Sequence, residues 1–232
     1  MTADTPSVDV VAPTYVGRIT SVVWLHLPML LISSVAVCAV AVPVVLVAPG
    51  VTPVSLLLWA AVVAPVFSAL VVQAHDVVLG RDPGAFSVLA YLRRAGGLGV
   101  VVWLPAAATG ACTLVAGEVW RQTHSPFALS SGAVGAVVTA LLTLAAVVAV
   151  PVGADHPSLR HVQLFVVCWH IVARRPVPVF AVVGFLVAAV SAAVHVAASI
   201  MFLVPGPLAL VLVVAVWTAA DASGIHPQEL ED

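Results

Sequence analysis

Six long apolar runs dominate this chain and restrict what it can fold into more than any other feature. They read as Val22–Val47, Pro53–Val72, Leu98–Val119, Leu129–Val152, Val177–Ser199 and Leu208–Ala220. A helix needs about 20 mainly apolar residues to cross a bilayer. The first five runs meet that length. The sixth, after the turn Pro205-Gly206-Pro207, is short, and it either extends back through Met201–Val204 or forms a broken, re-entrant unit. Valine is abundant in all of them and favours strands in water. In lipid a lone run must satisfy its own backbone hydrogen bonds, so helix wins. The fold class expected is therefore all-α: a polytopic transmembrane helix bundle of about six spans.

Composition agrees. Hydrophobic residues make up 62% of the 232 residues and charged ones 8%, where a soluble domain carries roughly 25% charged. So few charges cannot coat a water-soluble globule, and the lipid bilayer must be the main partner. The net charge of −2 gives nucleic acid nothing to bind. Lysine and asparagine are both missing, and all eight basic residues are arginine, the residue bias of a GC-rich bacterial genome. About twenty polar or mixed residues precede the first run, which is far longer than a signal-peptide core, so the run reads as a span. Cys38, Cys112 and Cys168 have no partners at metal-ligand spacing and read as free thiols.

The arginines set orientation, since cytoplasmic loops collect them. Arg18 precedes the first span. Arg81, Arg93 and Arg94 follow the second, Arg160, Arg174 and Arg175 follow the fourth, and Arg121 alone follows the third. Six spans with both termini in the cytoplasm place seven arginines inside and one outside. The layout is then a polar N-terminal tail (1–18), a transmembrane domain (19–222) and an acidic C-terminal tail (223–232), in a bacterial inner membrane.

The two arginine-rich loops resemble each other. Each leaves a span through a His/Asp pair, His75-Asp76 or Asp155-His156, and meets an Arg-Arg pair, Arg93-Arg94 or Arg174-Arg175, before the next span. Between them lies a run with one-sided helical patterning. Ala85, Val88, Leu89 and Leu92 share a face in the first loop, and Arg160, Gln163, His170 and Arg174 form a polar stripe in the second. Two short cytoplasmic amphipathic helices are expected here, with Arg93, Arg94, Arg174 and Arg175 as lipid-phosphate or interface anchors. The pattern suggests a pseudo-repeat of span–surface helix–span units over about 53–119 and 129–199. The alternative is that all cytoplasmic loops need positive charge and that short amphipathic helices are common.

No HExxH, GxSxG, Walker loop or zinc-spaced cluster appears, so no enzyme and no cofactor is expected. Polar groups within or beside spans are the remaining candidates. His26, near the start of the first span, and His195, late in the fifth, are ligand or ion candidates, although a histidine near an interface also bonds carbonyls or headgroups. His75, Asp76, Asp155 and His156 occupy matching places in the two loops. If the halves converge, two histidines and two carboxylates could hold a divalent ion; solvated loop residues are the simpler reading, and no metal site is assigned. Glu118 and Arg121 read as an exposed ion pair, and Thr139 and Thr143 as threonines bonding within their own helix or to a neighbour. No carboxylate falls in mid-span, which disfavours an ion-driven carrier.

The layout resembles the YesL-like bacterial membrane proteins, an uncharacterised family often encoded beside carbohydrate ABC transporters. The matching features are Val42-Pro43-Val44 ending the first span, Ala64-Pro65-Val66-Phe67-Ser68-Ala69-Leu70 in the second, Arg81 and Phe86 ahead of Arg93-Arg94, the junction Arg174-Arg175-Pro176, and a proline turn before the last span. They cover about residues 18 to 222. The chain departs from the family in its missing lysines and its His-bearing second loop. The resemblance implies a non-enzymatic accessory or scaffold role in carbohydrate uptake, with an ABC permease as partner. It carries over no site residue. The rival reading is a small autonomous transporter or channel for a neutral solute, working as a homo-oligomer. An ABC permease subunit is disfavoured, because neither long loop has the acidic-Ala-Ala start, later glycine and Ile-x-Leu-Pro ending of a coupling loop.

Overall fold

The structure is a computed structural model. It describes residues 12–81, 88–195, 203–221 and 223–225, without the side chains of 12–25, 88, 186, 187 and 189–195. All regular structure in these residues is helical: α1 (Ala12–Val47), α2 (Pro53–Leu58), α3 (Ala64–Val78), α4 (Val88–Thr123), α5 (Pro126–Asp155), α6 (His161–Arg174), α7 (Pro176–His195) and α8 (Pro205–Asp221). Among the described residues four helices are long and apolar enough to cross a membrane: His26–Val47, Pro53–Val78, Leu89–Thr123 and Pro126–Asp155. They become five if α6 and α7, bent by 92° at their junction, make one span. The protein is a membrane-embedded helical bundle.

Exposed apolar side chains follow from that setting. Ile32, Leu46 and Val47 on α1, Phe127 and Val134 on α5, and Phe180 on α7 all face outward, where acyl chains rather than water would cover them.

Several boundaries differ from the hydropathy reading. The second span does not end at Val72 but continues to Val78, so His75 and Asp76 lie inside a helix. The first amphipathic surface helix is not a separate element. From Val88 onward its residues are the first turns of α4, which runs unbroken for 36 residues and takes in both Arg93 and Arg94. Residues 85–87 of that run lie outside the described residues. The second surface helix does exist as α6. Leu164, Cys168 and Ile171 turn inward at helical spacing, and Arg160, Gln163, His170 and Arg174 stay exposed as the polar stripe requires. The final helix, at 17 residues, falls short of a full span.

α2 and α3 form one rod interrupted by a π-helical turn, Trp59–Val63, closed by Ala64 N–H donating to the Trp59 carbonyl. Pro65 lies just beyond. It has no N–H for the preceding turn, and the wider turn gives its ring room. The rod starts at a capping box: Thr52 Oγ1 accepts from Ser55 N–H at 3.0 Å, and Ser55 Oγ accepts from Thr52 N–H at 2.8 Å.

Small residues let α4 approach its neighbours. A Cβ on Gly99 would lie 2.6 Å from Ser68 Oγ and 3.1 Å from the Ala64 carbonyl oxygen of α3. A Cβ on Gly110 would meet Leu56 of α2 at 3.1 Å and Thr139 of α5 at 3.3 Å. In lipid, where apolar burial between helices gains little, such close backbone packing is a main source of association. Gly99→Val is therefore expected to cost about 1–3 kcal/mol, because the carbonyl cannot move without parting α3 from α4. The measurement is thermal stability in mild detergent; a wild-type melting curve would refute the packing role.

Burial is uneven along the helices. Residues 68–78 of α3 are all buried, as are 145–152 and 154–155 of α5. α8 packs into the same region with Leu212, Val213, Val216 and Trp217 almost fully enclosed. The core thus sits toward the end where α3 and α5 finish, and the candidate site lies there.

Candidate functional site

The site begins with how α3 ends. Gly80 adopts φ +75°, and its N–H donates to the Val77 carbonyl at 3.1 Å. Arg81 N–H donates to the Asp76 carbonyl at 2.9 Å. These two bonds with a left-handed glycine are a Schellman closure. Only glycine adopts that φ without strain. The consequence is directional: the chain folds back over its own last turn and brings Arg81 onto Asp76.

Arg81 reaches two carboxylates. Its Nη1 lies 3.5 Å from Asp76 Oδ1 and its Nη2 lies 3.2 Å from Asp155 Oδ1. Asp155 is the last residue of α5, so one guanidinium joins the ends of α3 and α5. Tyr91 of α4 donates its hydroxyl to Asp76 Oδ2 at 2.7 Å. His75 sits between the two acids, with Nδ1 3.4 Å from Asp76 Oδ1 and Nε2 3.7 Å from Asp155 Oδ1. Its ring packs on Trp217 of α8, with centroids 5.5 Å apart. Four helices meet on one charged cluster.

The cluster is buried. His75 is 1% exposed, and the side chains of Asp76 and Asp155 are 8% and 1% exposed. Both carboxylates also stand at helix C-termini, where the helix dipole is negative and repels them. Two such carboxylates are costly to bury without a cation, and the Arg81 guanidinium lies against both. Arg94 helps in another way. Its Nη2 donates to the Ala154 carbonyl at 3.2 Å, satisfying one of the free carbonyls that end α5.

The candidates read from the sequence divide accordingly: His75, Asp76, Asp155 and His156 converge, with His156 Nδ1 3.4 Å from Asp155 Oδ2. For His75, Asp76 and Asp155 the reading as solvated loop residues is overturned, because α3 and α5 each run further than hydropathy suggests and carry them into the core; His156, the residue after α5, is half-buried. Buried carboxylates are thus present after all, at helix ends rather than in mid-span. Among the described residues no group of three or more His, Cys, Asp or Glu side chains is arranged to hold a metal ion; the guanidinium occupies the space between the acids. His26 lies half-buried in α1. The side chain of His195 is outside the described residues. Arg93, Arg94, Arg174 and Arg175 are all exposed, and Arg94 also donates to the Ala154 carbonyl of α5. Glu118 and Arg121 do form an exposed pair at 3.0 Å. Thr139 and Thr143 bond back to Gly135 and Thr139 carbonyls at 2.8 Å each, and the Thr139 hydroxyl also meets that of Thr109 at 3.2 Å.

Residues that the sequence did not offer as ligand or ion candidates complete the site. Ser33 of α1 donates to Gln73 Oε1 at 2.6 Å in a buried contact two residues before His75. Arg81, Tyr91 and Trp217 carry the cluster itself. For Arg81 a signal existed, the glycine four residues after Asp76 that marks a helix stop. Tyr91 and Trp217 had none.

Beside the cluster is a cavity of about 210 Å³ between α3, α4, α5 and the start of α6. Arg94, His156 and His161 line it together with Val72, Leu98 and Leu164. Gly153 keeps it narrow: a Cβ there would lie 2.9 Å from Leu164 and 3.1 Å from Leu98.

No family model matches the chain, and no curated protein or solved structure matches it.

Proposed function

We propose that the protein is a non-enzymatic accessory or scaffold protein of the bacterial inner membrane, with six spans and both termini in the cytoplasm, serving carbohydrate uptake of the ABC type. The observation that carries the scaffold reading is how the buried charges are used. Arg81 bridges Asp76 and Asp155, and Tyr91 closes on Asp76, so the strongest polar groups tie α3, α4 and α5 together. Groups spent on one another lock a bundle. The link to sugar uptake rests on the resemblance to YesL-like proteins alone, and the orientation rests on the arginine distribution.

Affinity purification in mild detergent followed by mass spectrometry tests the reading. An ABC permease should co-purify in near-stoichiometric amount, and deletion should depress uptake of a particular sugar. Recovery of the chain alone, with uptake unchanged across a broad sugar panel, would refute it.

A second reading, a small autonomous transporter or channel for a neutral solute acting as a homo-oligomer, has one observation in its favour. His75 is a titratable group buried between two acids inside membrane helices, and such groups often mark pathways. Purified protein in liposomes should then pass a neutral solute, with passage lost in His75→Ala.

A further inference from the structure

We infer that the cavity beside the charged cluster binds the phosphate group of an anionic membrane lipid. The inference goes beyond the scaffold reading and does not depend on it.

Three features carry it. The first is the set of nitrogen groups, one guanidinium and two imidazoles. Arg94, His156 and His161 come from α4, from the residue that follows α5 and from the first position of α6, and they converge on one small space. None of the described lining residues is acidic. Asp155 lies next to His156 but is already engaged by Arg81. α6 begins at the rim, so the positive end of its dipole adds to the same field. Arginine is suited to phosphate because its planar fork can meet two oxygens at once.

The second feature is size. At about 210 Å³ the space is below the roughly 300–1,000 Å³ of pockets that enclose drug-sized ligands. It holds a compact charged group and leaves the rest of the molecule outside.

The third is what lies around the charges. Val72, Leu98 and Leu164 form apolar walls. On the outer side of α6, Val162 and Val166 are 76% and 63% exposed, a face suited to lipid rather than water. The 92° bend between α6 and α7 turns α6 away from the direction of α7, as expected of a helix lying along a membrane interface. A phosphate with acyl chains attached fits this setting better than a free anion, which would gain nothing from the apolar walls.

The test uses the full-length protein in an uncharged detergent, titrated with phosphatidic acid or with phosphatidylcholine of the same chains and followed by native mass spectrometry. Phosphatidic acid should bind about tenfold more tightly, the scale of one charge-assisted contact. Arg94→Gln and His161→Glu should each reduce that binding by about tenfold. Arg94 also supports α5, so its variant could fail by unfolding. His161 is exposed, and its variant places a negative charge at the rim of the cavity without touching the core. Arg121→Gln, exposed at the opposite end of α4 from Arg94, should bind as the wild type does. Equal affinity for the two lipids, or unchanged binding in His161→Glu, would overturn the inference. Displacement of bound lipid by millimolar inorganic phosphate would overturn the lipid as the source of the phosphate.

Discussion

Arg81→Gln should be among the most damaging single substitutions in this protein, costing about 3–5 kcal/mol, the range for removing one partner of a buried ion pair. The substitution leaves Asp76 and Asp155 both charged, both buried and both at the negative end of a helix. Arg81 itself is 22% exposed, so water can enter and soften the loss toward the lower figure. The measurement is the melting curve in mild detergent. A second variant separates charge from shape: adding Asp155→Asn to Arg81→Gln should restore most of the stability, because the remaining acid keeps its bond from Tyr91. If Arg81→Gln melts like the wild type, the cluster is not the tie between α3 and α5 described above. If the double variant is worse than the single, repulsion between the acids is not the cause.

Trp217→Ala should cost a similar amount, roughly 3–5 kcal/mol, for a different reason. Trp217 is 0% exposed and is the largest fully buried side chain among the described residues. Its loss leaves a hole where α8 meets α3 and strips the ring from His75. Its indole N–H makes no hydrogen bond, so Trp217→Phe sacrifices no polar contact and should lose less than half as much. The two variants, compared by melting curve and by protease sensitivity at the C-terminal end of the chain, ask whether α8 is an integral part of the core. An alanine variant as stable as the wild type would mean that it is not.

These two residues also show what the sequence could and could not express. The helical class and the rough position of four long apolar helices were legible because lipid imposes length and hydropathy directly on the chain. The existence of α6 was legible from its polar stripe. The charged cluster was not. Gln73, His75 and Asp76 look like the exit of an apolar run, since a polar residue lowers hydropathy equally whether water or protein surrounds it. Whether α3 stops at Val72 or at Val78 depends on α4, α5 and α8 being there to enclose those extra turns, a tertiary fact. Arg81 reads in the sequence as a loop charge, because hydropathy does not express the turn that folds it back onto Asp76. The supposed surface helix before Arg93 failed for a related reason: one-sided patterning cannot distinguish a separate helix from the first turns of a longer one.

The π-helical turn at Trp59–Val63 has a consequence for spacing. On α4, Gly99 and Gly110 are eleven residues apart, which is three turns and about 20°, so both face the same side. The residues they meet across the interface, Ser68 and Leu56, are twelve apart. In an unbroken α-helix twelve residues would turn one of them about 120° away from α4. The wide turn takes up the additional residue and returns both to the same line. The rod from Pro53 to Val78 thus carries one residue more than its partner and stores it in the membrane, much as a calendar stores an odd day. Everything after the turn, including the phase at which His75 and Asp76 face their neighbours, is set by that single stored residue.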